Sequence, residues 1–176
     1  MFDGTSIGAY GLTEPSAGSD DLSAKTTAVL SDDGKHYILN GEKVFITNGG
    51  WADVYTVFAK VDGEKFTAFI LERDTPGFTQ GPEYDKMGMR GSNTAELFFE
   101  NCAVPEENIL GKPGDGAAIL MSGLDYERVV LAAGPVGIMA AAMDQVIPYI
   151  HDRKQFGKSI GEFQIMQGKI GEHSIT

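Results

Sequence analysis

Short apolar runs parted by turn residues dominate the chain up to Gly111, and a long apolar-rich run follows Gly116. Tyr37-Ile38-Leu39, Lys43-Val44-Phe45-Ile46-Thr47 and the runs 53–60, 66–71 and 95–100 have the length and β-rich content of strands. Asn40-Gly41, between the first two, predicts a hairpin turn. So many short strands predict a central antiparallel β-barrel or sandwich domain. From 117 to about 154 the period turns helical, and a second helix is expected from about 160. The fold class is therefore α+β: a middle β domain over 1–111, then part of a C-terminal helical bundle over 112–176. Pro135 and Pro148 fall inside the long helix and predict a kink at one or both, since each removes a backbone donor and crowds the preceding turn.

Within that helix Leu120, Leu124, Glu127 and Leu131 recur at helical steps, which places a carboxylate on an apolar face. A desolvated Glu has a raised pKa and suits proton abstraction near neutral pH. The pattern alone also allows a Glu at the edge of the stripe, snorkelling to water. Asp125 and Arg128 lie one helical turn apart, where a surface ion pair is the plain expectation.

Charge narrows the choice of partners. The 176 residues carry 14 Lys and Arg against 25 Asp and Glu, a net charge of −11, which argues against nucleic acid and anionic membranes. The single cysteine, Cys102, excludes an internal disulfide, and the scattered His36, His151 and His173 give no metal-binding spacing. No apolar run reaches the roughly 20 residues of a membrane span, and no targeting segment is visible. A soluble intracellular protein is expected.

Three segments combine glycine with polar side chains. Tyr10-Gly11-Leu12-Thr13-Glu14-Pro15-Ser16-Ala17-Gly18-Ser19-Asp20 is dense in small and hydroxyl residues that let backbone approach a ligand, yet it is neither a phosphate-binding P-loop nor a nucleophile elbow. Phe45-Ile46-Thr47-Asn48-Gly49-Gly50 ends a strand with an aromatic ring that suits either a flat cofactor or a core. Met87-Gly88-Met89-Arg90-Gly91-Ser92-Asn93 sets one Arg in a glycine-rich bend. The basic run from His151 to Lys158 reads as a solvated helix end or a phosphate contact.

Taken together with Asp125-Tyr126-Glu127-Arg128 and Arg153-Lys154-Gln155-Phe156-Gly157, these motifs resemble the acyl-CoA dehydrogenase family over roughly residues 8 to 170. The helical half is most similar to its isovaleryl-CoA branch, while 52–60 look closer to very-long-chain members. The resemblance implies FAD as cofactor and α,β-dehydrogenation of an acyl-CoA thioester, with short or branched chains such as isovaleryl-CoA favoured. It implies Glu127 as α-proton base, and flavin contacts from Tyr10, Leu12, Thr13, Gly18, Ser19, Phe45, Ile46 and Thr47. Ser19, Asp125, Tyr126 and Arg128 would contact substrate, and Arg153 and Gln164 the adenine-nucleotide part of a flavin held across a subunit interface. It further implies an electron-transfer flavoprotein as acceptor, a homotetramer, no metal, and a bacterial cytoplasm or mitochondrial matrix as location.

Against the family pattern the chain begins without the N-terminal helical domain, stops inside the C-terminal bundle and diverges over 171–176. The alternative is therefore a truncated, catalytically incompetent fragment acting at most as a structural or binding module.

Overall fold

The computed structural model describes residues 3–174, so the last two positions of the divergent end lie outside the described residues. Two compact units divide inside a helix, 1–122 and 123–176.

The first unit is built on one mixed eight-stranded sheet. Its strands are β1 (Gly8–Gly11), β2 (Thr27–Leu30), β3 (His36–Thr47), β4 (Val54–Val61), β5 (Lys65–Glu72), β6 (Phe78–Gln80), β7 (Thr94–Pro105) and β8 (Ile109–Leu110). They run in the order β6-β7-β3-β2-β4-β5-β8, with β1 paired to β4. β1 and β2 both lie parallel to β4, and the other pairs are antiparallel. The antiparallel barrel or sandwich expected from strand spacing is thus corrected to a mixed sheet that does not close into a barrel. A loop and β3 separate β1 and β2 from β4, and such crossover connections allow parallel pairing that tight hairpins forbid.

Asn40-Gly41 is likewise not a hairpin turn. β3 passes straight through it, paired with β7 on both sides, and the extra residue of the register shift there lies on β7. Gly41 sits at φ 147°, and a Cβ there would come within 2.6 Å of Thr26 Oγ1, so glycine is needed at this crossing rather than at a reversal. Tyr55, Val57, Phe69, Leu71, Leu97 and Val104 form the centre of the core with no exposed surface. Cys102 is buried with them, and burial pushes its thiol up to about 11, which makes it inert.

Helix α1 (Gly116–Asp152) carries both prolines within one continuous element. Lys112 N–H donates to Asp115 Oδ2 at 3.0 Å, which closes the turn before its first residue. By length and composition α1 is the one described helix long and apolar enough to cross a membrane, a property that helices of soluble proteins share. Only Asp144 interrupts the run between Arg128 and His151 with a charge.

In the second unit, β9 (Lys154–Gln155) and β10 (Lys158–Ser159) form a hairpin. Its two loop residues, Phe156 and Gly157, both have positive φ. A 3-10 turn (Ile160–Glu162) follows, and α2 (Gln164–Ser174) starts later than the sequence suggests.

Candidate functional site

The Tyr10–Asp20 segment leaves β1 and turns sharply at 14–17, where Glu14 and Ala17 exchange backbone hydrogen bonds of 3.0 and 3.1 Å. The turn buries the Glu14 carboxylate, and Lys43 of β3 reaches it with Nζ at 2.7 Å. Lys43 also donates to Leu12 O at 3.2 Å, while Lys25 and Thr26 donate their backbone N–H groups to Glu14 at 2.6 and 3.0 Å. Burial works to raise the Glu14 pKa, but hydrogen bonds from Lys43, Thr26 and Lys25 outweigh it and hold the carboxyl below its ordinary value. Burial lowers the Lys43 pKa, opposed by the bond to Glu14. The pair ties the Thr13 loop to β3.

One step along β3 the ladder slips. Lys43 pairs with Leu97 and Ile46 with Ala95, leaving Val44 and Phe45 as a bulge. Val44 N–H donates to Thr13 O at 2.9 Å, so the bulge is where the first two glycine-rich segments meet. Phe45 takes φ 60°, left-handed backbone that costs a non-glycine residue about 1–3 kcal/mol. This turns its ring outward to 67% exposure, while Ile46 is buried at 3%. Thr47 emerges beside it, exposed. Thr47 and Asn48 join Gly8, Ala9, Tyr10, Val54 and Thr56 in lining an open cavity of about 400 Å³.

The third segment is drawn to the same edge by Asn93, whose backbone O accepts from Asn48 N–H at 2.9 Å and whose Oδ1 accepts from Gly50 N–H at 2.8 Å. Its glycine-rich tip stays exposed, and Arg90 pairs with Asp85 at 3.4 Å.

Among the sequence candidates, Tyr10, Phe45 and Thr47 therefore share one exposed edge. Leu12 and Thr13 lie half-buried behind it, and Gly18 and Ser19 are exposed on the following loop. Ile46 offers only its backbone, since its side chain is in the core. In the second unit Glu127 is exposed rather than set into an apolar face, and Asp125, Tyr126 and Arg128 are exposed with it. Leu131, on the face assigned to the core, is 61% exposed. Arg128 pairs with Asp125 at 3.9 Å, the plain reading of that spacing. Arg153 and Gln164 are exposed too. Sequence reasoning missed Lys43, Tyr84 and Asn93. Only Lys43 left a signal, a cation heading an otherwise apolar run.

A cavity lined by the Tyr10 ring, the Thr47 hydroxyl and the apolar Ala9 and Val54, with the exposed Phe45 ring two residues before Thr47 on β3, suits a flat heteroaromatic ring, so the residues fit a flavin. Among the described residues no group of acidic, His or Cys side chains is arranged to hold a metal ion.

Residues 9–102 match the family model for the acyl-CoA dehydrogenase middle domain, and 114–176 the model for the acyl-CoA dehydrogenase C-terminal domain. The chain is 55% identical to 2-methylacyl-CoA dehydrogenase, mitochondrial, of Solanum tuberosum, over 98% of this chain and 42% of that protein. It is 53% identical to isovaleryl-CoA dehydrogenase, mitochondrial, of Arabidopsis thaliana, with the same coverages, 98% and 42%. The solved butyryl-CoA dehydrogenase of Megasphaera elsdenii superposes with a TM-score of 0.88 at 48% identity, over 98% of this chain and 46% of that one. An acyl-CoA dehydrogenase complexed with FAD from Bacillus anthracis gives 0.84 at 46% identity, over 93% and 29%. The chain thus spans less than half the length of these relatives.

Proposed function

We infer that this chain, which belongs to the acyl-CoA dehydrogenase family, contributes the flavin-facing wall and a base-bearing helix to an FAD-dependent acyl-CoA dehydrogenase. We infer as well that the 176 residues alone bind flavin without turning over substrate. The carrying observation is the Phe45 bulge, strained backbone that turns an aromatic ring out of the core two residues before Thr47, as a ligand-facing wall requires.

FAD, when bound, supplies the hydride-accepting chemistry. Tyr10, Leu12, Thr13, Gly18, Phe45, Ile46 and Thr47 would line its ring, Ile46 through its main chain. Ser19 would lie where ring and thioester meet. Glu127 would take the α-proton, with Asp125, Tyr126 and Arg128 on the CoA arm. Arg153 and Gln164 would hold the adenine-nucleotide part across an interface in a homotetramer. A short or branched acyl-CoA is the substrate this reading favours, since the 2-methylacyl and isovaleryl relatives are similar over nearly the whole chain. Reoxidation by an electron-transfer flavoprotein and a mitochondrial or bacterial intracellular location go with it. The domain boundary at 111/112 belongs to the same proposal.

Incompetence of the chain alone rests on Glu127. An exposed carboxylate keeps its water, and a base for a weakly acidic carbon needs desolvation. Purified chain is titrated with FAD and followed by flavin fluorescence and absorbance, then mixed with isovaleryl-CoA. Flavin uptake without bleaching is expected, and Glu127→Gln should leave uptake unchanged. Steady turnover by the 176 residues overturns the second inference, and absence of flavin uptake overturns the first.

A further inference from the structure

Phe45 does not stand alone at its bulge. The ring of Tyr84 lies against it, centroids 5.5 Å apart and planes inclined by 34°. Tyr84 is fixed at both ends to β7 rather than to β3. Its backbone N–H donates to Thr94 O at 2.9 Å, and its phenol donates to Glu96 Oε1 at 2.7 Å. Glu96 is the residue between Leu97 and Ala95, the two β7 partners that flank the slipped register, so it faces the bulge directly. Next to this brace, Lys86 Nζ bonds Ser92 O and, at 2.9 Å, Thr94 Oγ1, which pins the strand end that carries Tyr84's anchor.

We propose that Tyr84 is a positioning residue for Phe45: braced on β7 through Thr94 and Glu96, it is the platform that keeps the Phe45 ring turned out toward its ligand. The proposal rests on reading Phe45 as a wall of the flavin site. Two features separate it from ordinary surface packing. A left-handed Phe persists only where its surroundings over-determine it, and the bulge has lost the ladder bonds that would do so. Burial, then the hydrogen bond and charge of Glu96, push the Tyr84 phenol up to about 12, while the backbone N–H of Phe45 acts on the phenol in the opposite sense. The same hydroxyl therefore remains a proton donor to Glu96 throughout the physiological range and faces the strained peptide. Glu42 is the other acidic group whose charge is felt there.

The test compares wild type with Tyr84→Ala, Tyr84→Phe, Glu96→Ala and Glu96→Gln in the 176-residue chain. NMR of Phe-labelled protein reads the Phe45 backbone coupling and ring shifts without ligand, and flavin fluorescence reads FAD affinity separately. In Tyr84→Ala, Phe45 should lose its left-handed coupling and FAD should bind about two- to tenfold more weakly, the worth of one aromatic pair. Tyr84→Phe should keep the coupling but give averaged ring shifts. Glu96→Ala should resemble Tyr84→Phe, and Glu96→Gln, which retains an acceptor, should resemble wild type. Unchanged Trp51 fluorescence and unfolding midpoint identify variants that fold. Phe45 signals that do not move in folded Tyr84→Ala overturn the proposal whatever the flavin result. A wild-type chain that shows the left-handed coupling but takes up no FAD overturns the flavin reading, and with it the purpose assigned to the platform.

Discussion

The Glu14–Lys43 pair is the most consequential contact at the scale of single residues, because it joins the Thr13 loop to β3 inside the protein. Neither side chain has a bulk-water alternative: their exposures are 4% and 0%. Removing one partner of a buried pair costs about 3–5 kcal/mol, since the other charge is left without compensation. Lys43→Met leaves Glu14 two backbone donors, which places the expected loss near the lower end, about 3 kcal/mol in urea unfolding. An unchanged midpoint would show that the pair contributes nothing net. The pH dependence has a definite sign. The folded-state Glu14 carboxyl lies below its unfolded value, so its contribution is complete above the unfolded pKa and disappears as pH falls through the folded one. The double variant Glu14→Gln/Lys43→Met should therefore lose less stability than wild type between neutral and acid pH, measured by urea midpoints across that range. The sequence hid this pair, since a Lys before Val44-Phe45-Ile46 reads equally well as the solvated start of a strand.

Elements were legible where periodicity carries direction and illegible where a local irregularity reverses it. The strand runs 66–71 and 95–100 fall within β5 and β7, the run 53–60 matches β4 to within one residue at each end, and the long helix lies where its period placed it. Asn40-Gly41 misleads because a turn and a close strand crossing ask the same thing of glycine, a φ that other residues resist. What distinguishes them is Thr26, a neighbour from a different strand approach that no local reading supplies. Gly41→Ala tests the crossing: positive φ and a Cβ 2.6 Å from Thr26 Oγ1 should cost more than about 1 kcal/mol, whereas an ordinary exposed turn glycine would lose less. Chemical denaturation decides, and a loss within error of zero sinks the packing argument. The Phe45 bulge was opaque for the same reason. Its one extra residue shows up only against β7, where Val44 and Phe45 stand opposite Glu96, and the choice between a core Phe and an exposed one depended on that count.

Across the whole molecule the apolar helix sets the behaviour to expect in solution. Glu127 looked informative because the leucines at helical spacing implied an inside. Yet Val129, Val130, Leu131, Val136, Ile138 and Met139 are all exposed, around the helix rather than on one stripe, so the period gave a face without a direction. A contiguous exposed apolar surface drives association in water. A bilayer is a poorer fit than protein: 37 residues of helix extend about 55 Å, well beyond the roughly 30 Å hydrocarbon core, and carry Asp125, Glu127, Arg128 and Asp144 along that length. The chain should therefore self-associate, shown by concentration-dependent sedimentation, and should bind a hydrophobic dye. Val130→Glu/Ile138→Glu should shift it toward monomer while leaving unfolding of the sheet unit unchanged, because none of the core residues of that sheet lies beyond Ile109. A wild-type chain that sediments as monomer at every concentration defeats this account, and one that floats with lipid vesicles replaces protein by membrane as the partner of the helix.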